Sequence, residues 1–105
     1  MIYIASPYSS NDWRIMYERY LHVRDYTAEC IKRKEVVFSP IVNTHHIAVE
    51  GNISPEFSFW KEYNFHILAL CEELRVLTLD GWKDSKGVAG EVEFADEKGV
   101  PVTYV

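Results

Sequence analysis

The alternation of short apolar runs with amphipathic stretches is the feature of this sequence that most constrains its fold. Four runs rich in β-branched and aromatic residues are separated by three stretches with helical periodicity. The predicted strands are residues 2–5, 35–40, 74–79 and 101–105. The first predicted helix runs from Asn11 or Asp12 to about Lys34. The second covers 54–73 with Ser54 as N-cap, and the third runs from about residue 87 to near Gly99. This order predicts a parallel sheet of about four strands with helices on both faces.

Length and charge limit the classes of function. A chain of 105 residues predicts one domain over residues 1–105, and so small a core favours a homo-oligomer. The net charge is −5 and no long basic face is present, so polymeric nucleic acid is not an expected partner. The N-terminal apolar run is too short for a signal peptide or a membrane span. We therefore expect a cytoplasmic protein without a membrane partner.

The segment 41–53 is predicted to be a long loop after the second strand, and long loops are often functional. It contains His45 and His46. No third ligand has suitable spacing, so the pair does not predict a metal site. A contact between His45 and a substrate stays open beside an ordinary structural role. Cys30 and Cys71 lie far apart in apolar segments, which predicts buried free thiols.

Two polar residues fall on the apolar faces of predicted helices. Glu91 lies in the same arc of the third helix as Val88, Val92 and Ala95, and Asn64 lies in the middle of the apolar arc of the second. A buried carboxylate costs several kcal/mol unless it is paired or its pKa rises. Glu91 is therefore either part of a site or bonded to a backbone amide or an arginine. Asn64 is either a site residue or a satisfied core amide.

The turn before the third helix offers groups that suit an anion. Ser85 and Gly87 lie where the helix begins, and the free N–H groups of a helix N-terminus favour phosphate. Ser85 is otherwise a plain N-cap. Asp80 follows the third strand, as site acids or turn-forming residues do, and Trp82 forms either a crevice wall or a lid over the core. Arg19, on the first helix, is expected to form a surface salt bridge or to meet a phosphate.

The order of motifs along nearly the whole chain resembles the nucleoside 2-deoxyribosyltransferase-like superfamily. The segments "IYIASPYS", "VVFSPI", "LDGW" and "KGVPV" carry this resemblance. So does the spacing S-x-G-x-x-x-E-x-x-x-A from Ser85 to Ala95. The chain is most similar to the small uncharacterised bacterial and phage branch and to deoxynucleoside 5'-monophosphate N-glycosidases. The resemblance implies a flavodoxin-like or Rossmann-like three-layer fold and a homo-oligomer.

The resemblance also implies a reaction and residues for it. The motif glutamate, here Glu91, attacks the anomeric carbon and cleaves the bond between base and deoxyribose. Ser85, with the Gly87 backbone, holds a 5'-phosphate, and the first turn, with Ser6 and Tyr8, shapes the pocket. The partner is thus a nucleoside or nucleotide, and no metal or organic cofactor is needed.

One position departs from that pattern. The family commonly has an aspartate on the second helix that protonates or orients the leaving base, and Asn64 occupies this position. An amide can bind a base but cannot protonate it. Three alternatives remain open: another acid such as Asp80 acts instead, the activity is weak, or the protein is a non-catalytic nucleotide-binding module.

Overall fold

The computed structural model describes all residues 1–105. It contains four strands, four α-helices and one 3-10 turn. In chain order these are β1 Ile2–Ala5, α1 Trp13–Lys32, β2 Val37–Phe38, α2 Pro40–Glu50, α3 Phe57–Leu68, β3 Glu73–Val76, the 3-10 turn Trp82–Asp84, α4 Lys86–Lys98 and β4 Val102–Tyr104. None of the helices combines the length and the apolarity needed to cross a membrane.

The four strands form one parallel sheet in the order β2-β1-β3-β4. Tyr3 of β1 lies opposite Phe38 on one side and Leu74 on the other, and Val76 of β3 lies opposite Tyr104. The predicted parallel α/β sheet is therefore confirmed. Because the chain crosses to opposite sides of β1, a crevice opens beyond the carboxyl ends of the central strands, where ligands bind in such folds.

The helices cover both faces of the sheet. Alternate residues of β1 point to opposite faces: Ile4 packs with residues of α1 and α2, whereas Tyr3 and Ala5 pack with residues of α3 and α4. The α3/α4 face also holds Leu68, Cys71, Leu74, Val76, Val88 and Ala95. Cys30 and Cys71 are buried free thiols, one on each face, as the sequence predicts.

The prediction of a loop over residues 41–53 is wrong, because α2 occupies most of this segment. Ser39 is its N-cap, with the hydroxyl accepting from the Val42 N–H at 3.2 Å, and Pro40 is the first helical residue. Both residues are typical of a helix start. Pro40 is equally typical of the end of a strand, but the predicted strand over 35–40 is only Val37–Phe38 in the structure. The buried side chains of Ile41, His45 and Ala48 show the helical spacing.

Other element boundaries also differ from the prediction. Helix α3 begins at Phe57, after Glu56, rather than at Ser54. The Ser54 hydroxyl accepts from the Glu56 N–H at 3.1 Å and so stabilises the turn before the helix. The strand predicted over 74–79 ends at Val76. The start of α1 is confirmed, since the Asp12 carboxylate accepts from the Arg14 N–H at 3.0 Å.

Candidate active site

A cavity of about 760 Å³ lies beyond the carboxyl ends of the strands. Its lining comes from the turn after β1, from Arg19 of α1, from α2 and α3, and from residues between Gly81 and Glu91, which include the start of α4. Among the residues suggested by the sequence, Ser6, Tyr8, Asn64, Ser85, Gly87 and Glu91 all line this cavity. They come from distant parts of the chain, and the fold brings them to one cavity.

Glu91 is the buried acid of the cavity wall, with 4% of its surface exposed. The Tyr3 hydroxyl donates a hydrogen bond to Glu91 Oε2. No lysine or arginine lies within salt-bridge distance of this carboxyl. Burial raises the pKa of Glu91 to about 8, and the hydrogen bond from Tyr3 offsets only part of this rise. Burial, reinforced by Glu91, also raises the pKa of Tyr3 well above its ordinary value.

Local sequence fixes the position of Glu91. Ser85 begins α4, and its hydroxyl accepts from the Val88 N–H at 3.2 Å. Val88 and Ala95 are buried against the sheet, one turn before and one turn after Glu91. Because residues three or four apart share one helix face, packing of these two side chains directs Glu91 toward Tyr3. The predicted burial of Glu91 is confirmed.

The N-terminus of α4 presents unpaired donors at the cavity. Ser85 satisfies the Val88 N–H through its side chain and the Ala89 N–H through its carbonyl. The N–H groups of Lys86 and Gly87 have no protein acceptor. A Cβ added at Gly87 would come within 3.3 Å of Phe57 on α3, so the two helices approach closely here. An anion at this end of the cavity would meet two free donors and the positive end of a helix dipole.

Asn64 and Ser6 are buried polar residues without internal partners. They are 9% and 7% exposed, and neither Asn64 Oδ1 nor Ser6 Oγ has a hydrogen-bond partner. Buried side-chain polar atoms are usually bonded, because leaving one unpaired costs about 1–3 kcal/mol. Both residues line the cavity. Both residues therefore have unused hydrogen-bonding capacity beside the cavity.

Tyr8 and His45 form a second polar pair at the cavity. The Tyr8 hydroxyl lies 2.6 Å from His45 Nδ1, and the His45 ring stacks on Tyr20 with centroids 4.2 Å apart. Burial, together with His46, lowers the pKa of His45. Tyr8 lines the cavity, whereas His45 is buried behind it on α2. The structure therefore places His45 in contact with Tyr8 rather than in the cavity wall.

Asp80 and Trp82 are not brought into the cavity wall. Strand β3 ends at Val76, four residues before Asp80, so this exposed carboxylate lies on the connecting segment. Trp82 packs against the core on the α4 face, and its ring lies 5.4 Å from that of Tyr104. It acts as a lid over the core, one of the two roles that the sequence left open.

Arg19 is a cavity residue for which the sequence favoured a surface salt bridge. Its guanidinium donates to the carbonyl oxygens of Tyr8 at 3.3 Å and Ser9 at 3.0 Å, and it has no acidic partner. Gly81, at φ 89°, leaves room for it, since a Cβ there would lie 2.7 Å from Arg19 Nη2. Arg19 thus brings to the cavity a positive charge that no carboxylate neutralises.

A comparison with protein-family models matches the whole range of residues that the fold occupies. The model for the family described as domain of unknown function DUF1937 matches residues 1–105. The chain belongs to the DUF1937 family. A comparison with curated proteins gives no significant match. The description of DUF1937 assigns no reaction, so the chemistry of the cavity must be argued from its own residues.

Proposed function

We propose that this DUF1937 protein is an N-glycosidase or deoxyribosyltransferase that cleaves the glycosidic bond of a small nucleoside or its 5'-monophosphate. The observation that carries the proposal is a buried, cation-free carboxyl, Glu91, in the wall of a cavity that is also lined by a helix N-terminus with two free N–H groups. The spacing from Ser85 to Ala95 that resembles the nucleoside 2-deoxyribosyltransferase-like superfamily supports it.

Glu91 acts as the nucleophile in this proposal. Its carboxylate attacks the anomeric carbon and forms a sugar ester, as in retaining glycosidases, and water or a second base then resolves the ester. The attacking group must be ionised, although burial raises the pKa of Glu91 to about 8 and so favours the protonated form at pH 7. Positive charge that develops on the sugar stabilises the carboxylate. The Tyr3 hydroxyl, which donates to Oε2, orients it.

The 5'-phosphate occupies the N-terminal end of α4 in this proposal. The free N–H groups of Lys86 and Gly87 bind its oxygens, and Ser85 fixes the helix start. Arg19, which lines the same cavity and has no acidic partner, supplies a compensating positive charge. Anchoring the phosphate at this point would hold the anomeric carbon against Glu91.

The experiment that tests the proposal is incubation of the purified protein with a panel of nucleosides and deoxynucleosides and their monophosphates, with chromatography of the released bases. The matched control is Glu93→Gln, since Glu93 lies exposed on the same helix. We expect base release by the wild type and by Glu93→Gln, and none by Glu91→Gln. Equal release by Glu91→Gln, or no release from any substrate, would contradict the proposal.

A second candidate function is a nucleotide-binding module without turnover. The observation that favours it is that Asn64, a buried amide that cannot protonate a leaving base, lines the cavity together with Glu91, whose pKa burial raises to about 8. Calorimetry separates the two candidates. Binding of a monophosphate without any base release, and with unchanged affinity in Glu91→Gln, would favour the module.

A further inference from the structure

The enclosed wall of the cavity contains a single acid. The buried polar side chains that line it are Ser6, Asn64 and Glu91, and only Glu91 titrates. The other acids and the lysines of the lining, Glu56, Lys61, Asp84 and Lys86, are all exposed to solvent. A glutamate that attacks the sugar cannot at the same time protonate the leaving group. The buried wall therefore offers a nucleophile but no separate general acid.

The hydroxyls of Tyr3 and Tyr8 do not fill this gap. The proton of Tyr3 is donated to Glu91. The Tyr8 hydroxyl pairs with His45 Nδ1 at 2.6 Å, and burial raises the pKa of both phenols. Neither tyrosine is therefore an acid of suitable strength for protonating a leaving base near pH 7.

Asn64 adds recognition without acidity. Its amide forms no hydrogen bond inside the protein, and its buried Oδ1 has no donor, at a residue that lines the cavity. An amide of this kind pairs with a neighbouring donor and acceptor on the edge of a base. The amide cannot act as a general acid, because its nitrogen is not acidic in water. Asn64 can therefore bind the base, but the base must leave without being protonated by Asn64.

The kind of leaving group follows from this. A neutral N-glycoside releases its base as an anion unless an acid protonates it. A glycoside with a quaternised ring nitrogen releases a neutral base and needs no proton. No cation of the protein lies within salt-bridge distance of Glu91. A positively charged substrate would supply the cationic partner that favours the ionised form of this carboxyl.

We propose that the preferred substrates are cationic N-glycosides, such as N7-alkylated purine nucleotides, whose base departs neutral without protonation by the enzyme. This inference rests on the proposed function and specifies its substrate class. The phosphate-binding end of the cavity is unaffected by the choice of base. Asn64 is then a specificity residue that binds the base rather than a residue that assists its departure.

The atoms and charges of the step balance. A Glu91 carboxylate oxygen forms a bond to the anomeric carbon as the bond from this carbon to the ring nitrogen breaks. The electron pair of the broken bond cancels the positive charge of the ring, and the base leaves neutral. Water then attacks the anomeric carbon, the ester electron pair returns to Glu91, and the proton of the water passes to solvent. The net products are a neutral base, a sugar phosphate and one proton.

A matched pair of substrates tests the inference on the wild-type protein. N7-methylguanosine 5'-monophosphate and guanosine 5'-monophosphate differ by one methyl group and one charge, and both are measured in ribo and deoxyribo forms. A missing general acid is worth about 10²–10⁴-fold. We therefore expect kcat/KM for the methylated nucleotide to exceed that for the unmethylated one by at least about 100-fold.

The Asn64→Asp variant tests the cause of that preference. An acid at this position should raise cleavage of guanosine 5'-monophosphate by about 10²-fold and change cleavage of the methylated nucleotide by no more than a few fold. Asn43→Asp is the control, because Asn43 is exposed and lies outside the cavity. If Asn64→Asp does not fold, the wild-type pair decides alone.

The outcomes separate the inference from the function on which it rests. Equal kcat/KM for the two nucleotides, or preference for the unmethylated one, overturns the inference while the N-glycosidase function stands. Equal stimulation of both by Asn64→Asp also overturns it. No base release from either nucleotide or from the wider panel overturns both proposals.

Discussion

Glu91 and Glu35 are two glutamates that the fold treats in opposite ways. Glu35 accepts from Arg75 at 2.9 and 3.2 Å and from Arg33 at 2.9 Å, and these hydrogen bonds lower its pKa to about 2. Glu91 has one phenol donor and no cation, and burial raises its pKa to about 8. Arg75, which pairs with Glu35, also contacts Tyr26 of α1, whereas Glu91 lies on the α3/α4 face.

The two carboxyl groups have opposite effects on the stability of the folded state. Glu35 and Arg75 link the start of β2 to β3, and the Arg75 Nε also donates to Glu73 at 3.2 Å, so this network favours the folded state. Glu91 opposes folding wherever the unfolded chain would be ionised. A residue that is kept in a destabilising environment at the wall of a cavity is a candidate for function rather than for stability.

Catalytic activity should show the largest difference between substitutions of Glu91 and of Glu35. Glu91→Gln removes the nucleophile, so base release should fall by at least about 10³-fold. Glu35→Gln should leave kcat/KM within a few fold, because Glu35 lies outside the cavity. Chromatography of released base with both variants measures this. A Glu35 variant as inactive as the Glu91 variant would show that the loss reflects folding rather than chemistry.

The pH dependence of stability should have opposite signs for Glu91 and Glu35. Between about pH 4.5 and 8 the unfolded chain loses the Glu91 proton while the native state keeps it, so stability falls as pH rises. The shift from 4.5 to about 8 sets an upper bound of about 5 kcal/mol on this loss. Glu91→Gln should therefore raise Tm by several degrees near pH 8 and leave it nearly unchanged near pH 4. A Tm lowered at pH 8 would contradict the account of this carboxyl.

The pH dependence of cleavage should follow the same ionisation. Because only ionised Glu91 attacks, kcat/KM should rise about tenfold per pH unit below the pKa of about 8 and level off above it. Initial rates between pH 5.5 and 9.5 measure this profile. A rate that falls steadily across this range would indicate that the protonated carboxyl is the active form.

The smallest expected effect concerns Glu35. Its lowered pKa contributes stability that is fully present above about pH 4.5 and is lost as pH falls through about 2. Glu35→Gln should lower Tm by a few degrees at pH 7, and the difference should shrink below pH 4. Glu29→Gln is the control, since its pair with Lys32 is exposed. A pH-independent difference would assign the effect to packing.

The part of the site that sequence could predict is the part set by local patterns. Helical spacing correctly predicted the burial of Glu91 and Asn64, and the N-cap residue Ser85 correctly predicted the start of α4. Tyr3 was missed because its role arises from a contact with Glu91, which lies 88 positions away in the sequence. Arg19 was named, but the sequence could not show its hydrogen bonds to the carbonyl oxygens of Tyr8 and Ser9. Helix α2 was missed for a different reason. Its start signal, Ser39 followed by Pro40, is ambiguous, because a proline fits the end of a strand as well as the first residue of a helix.

The most direct measurement is mass spectrometry of a reaction that is quenched by acid within its first turnovers. The account predicts that a sugar phosphate is attached to the peptide that contains Glu91, that it appears only when base is released, and that it is absent from Glu91→Gln. Base release with no sugar on Glu91, or with the sugar on another residue, would contradict the claim that this buried, cation-free carboxyl is the nucleophile.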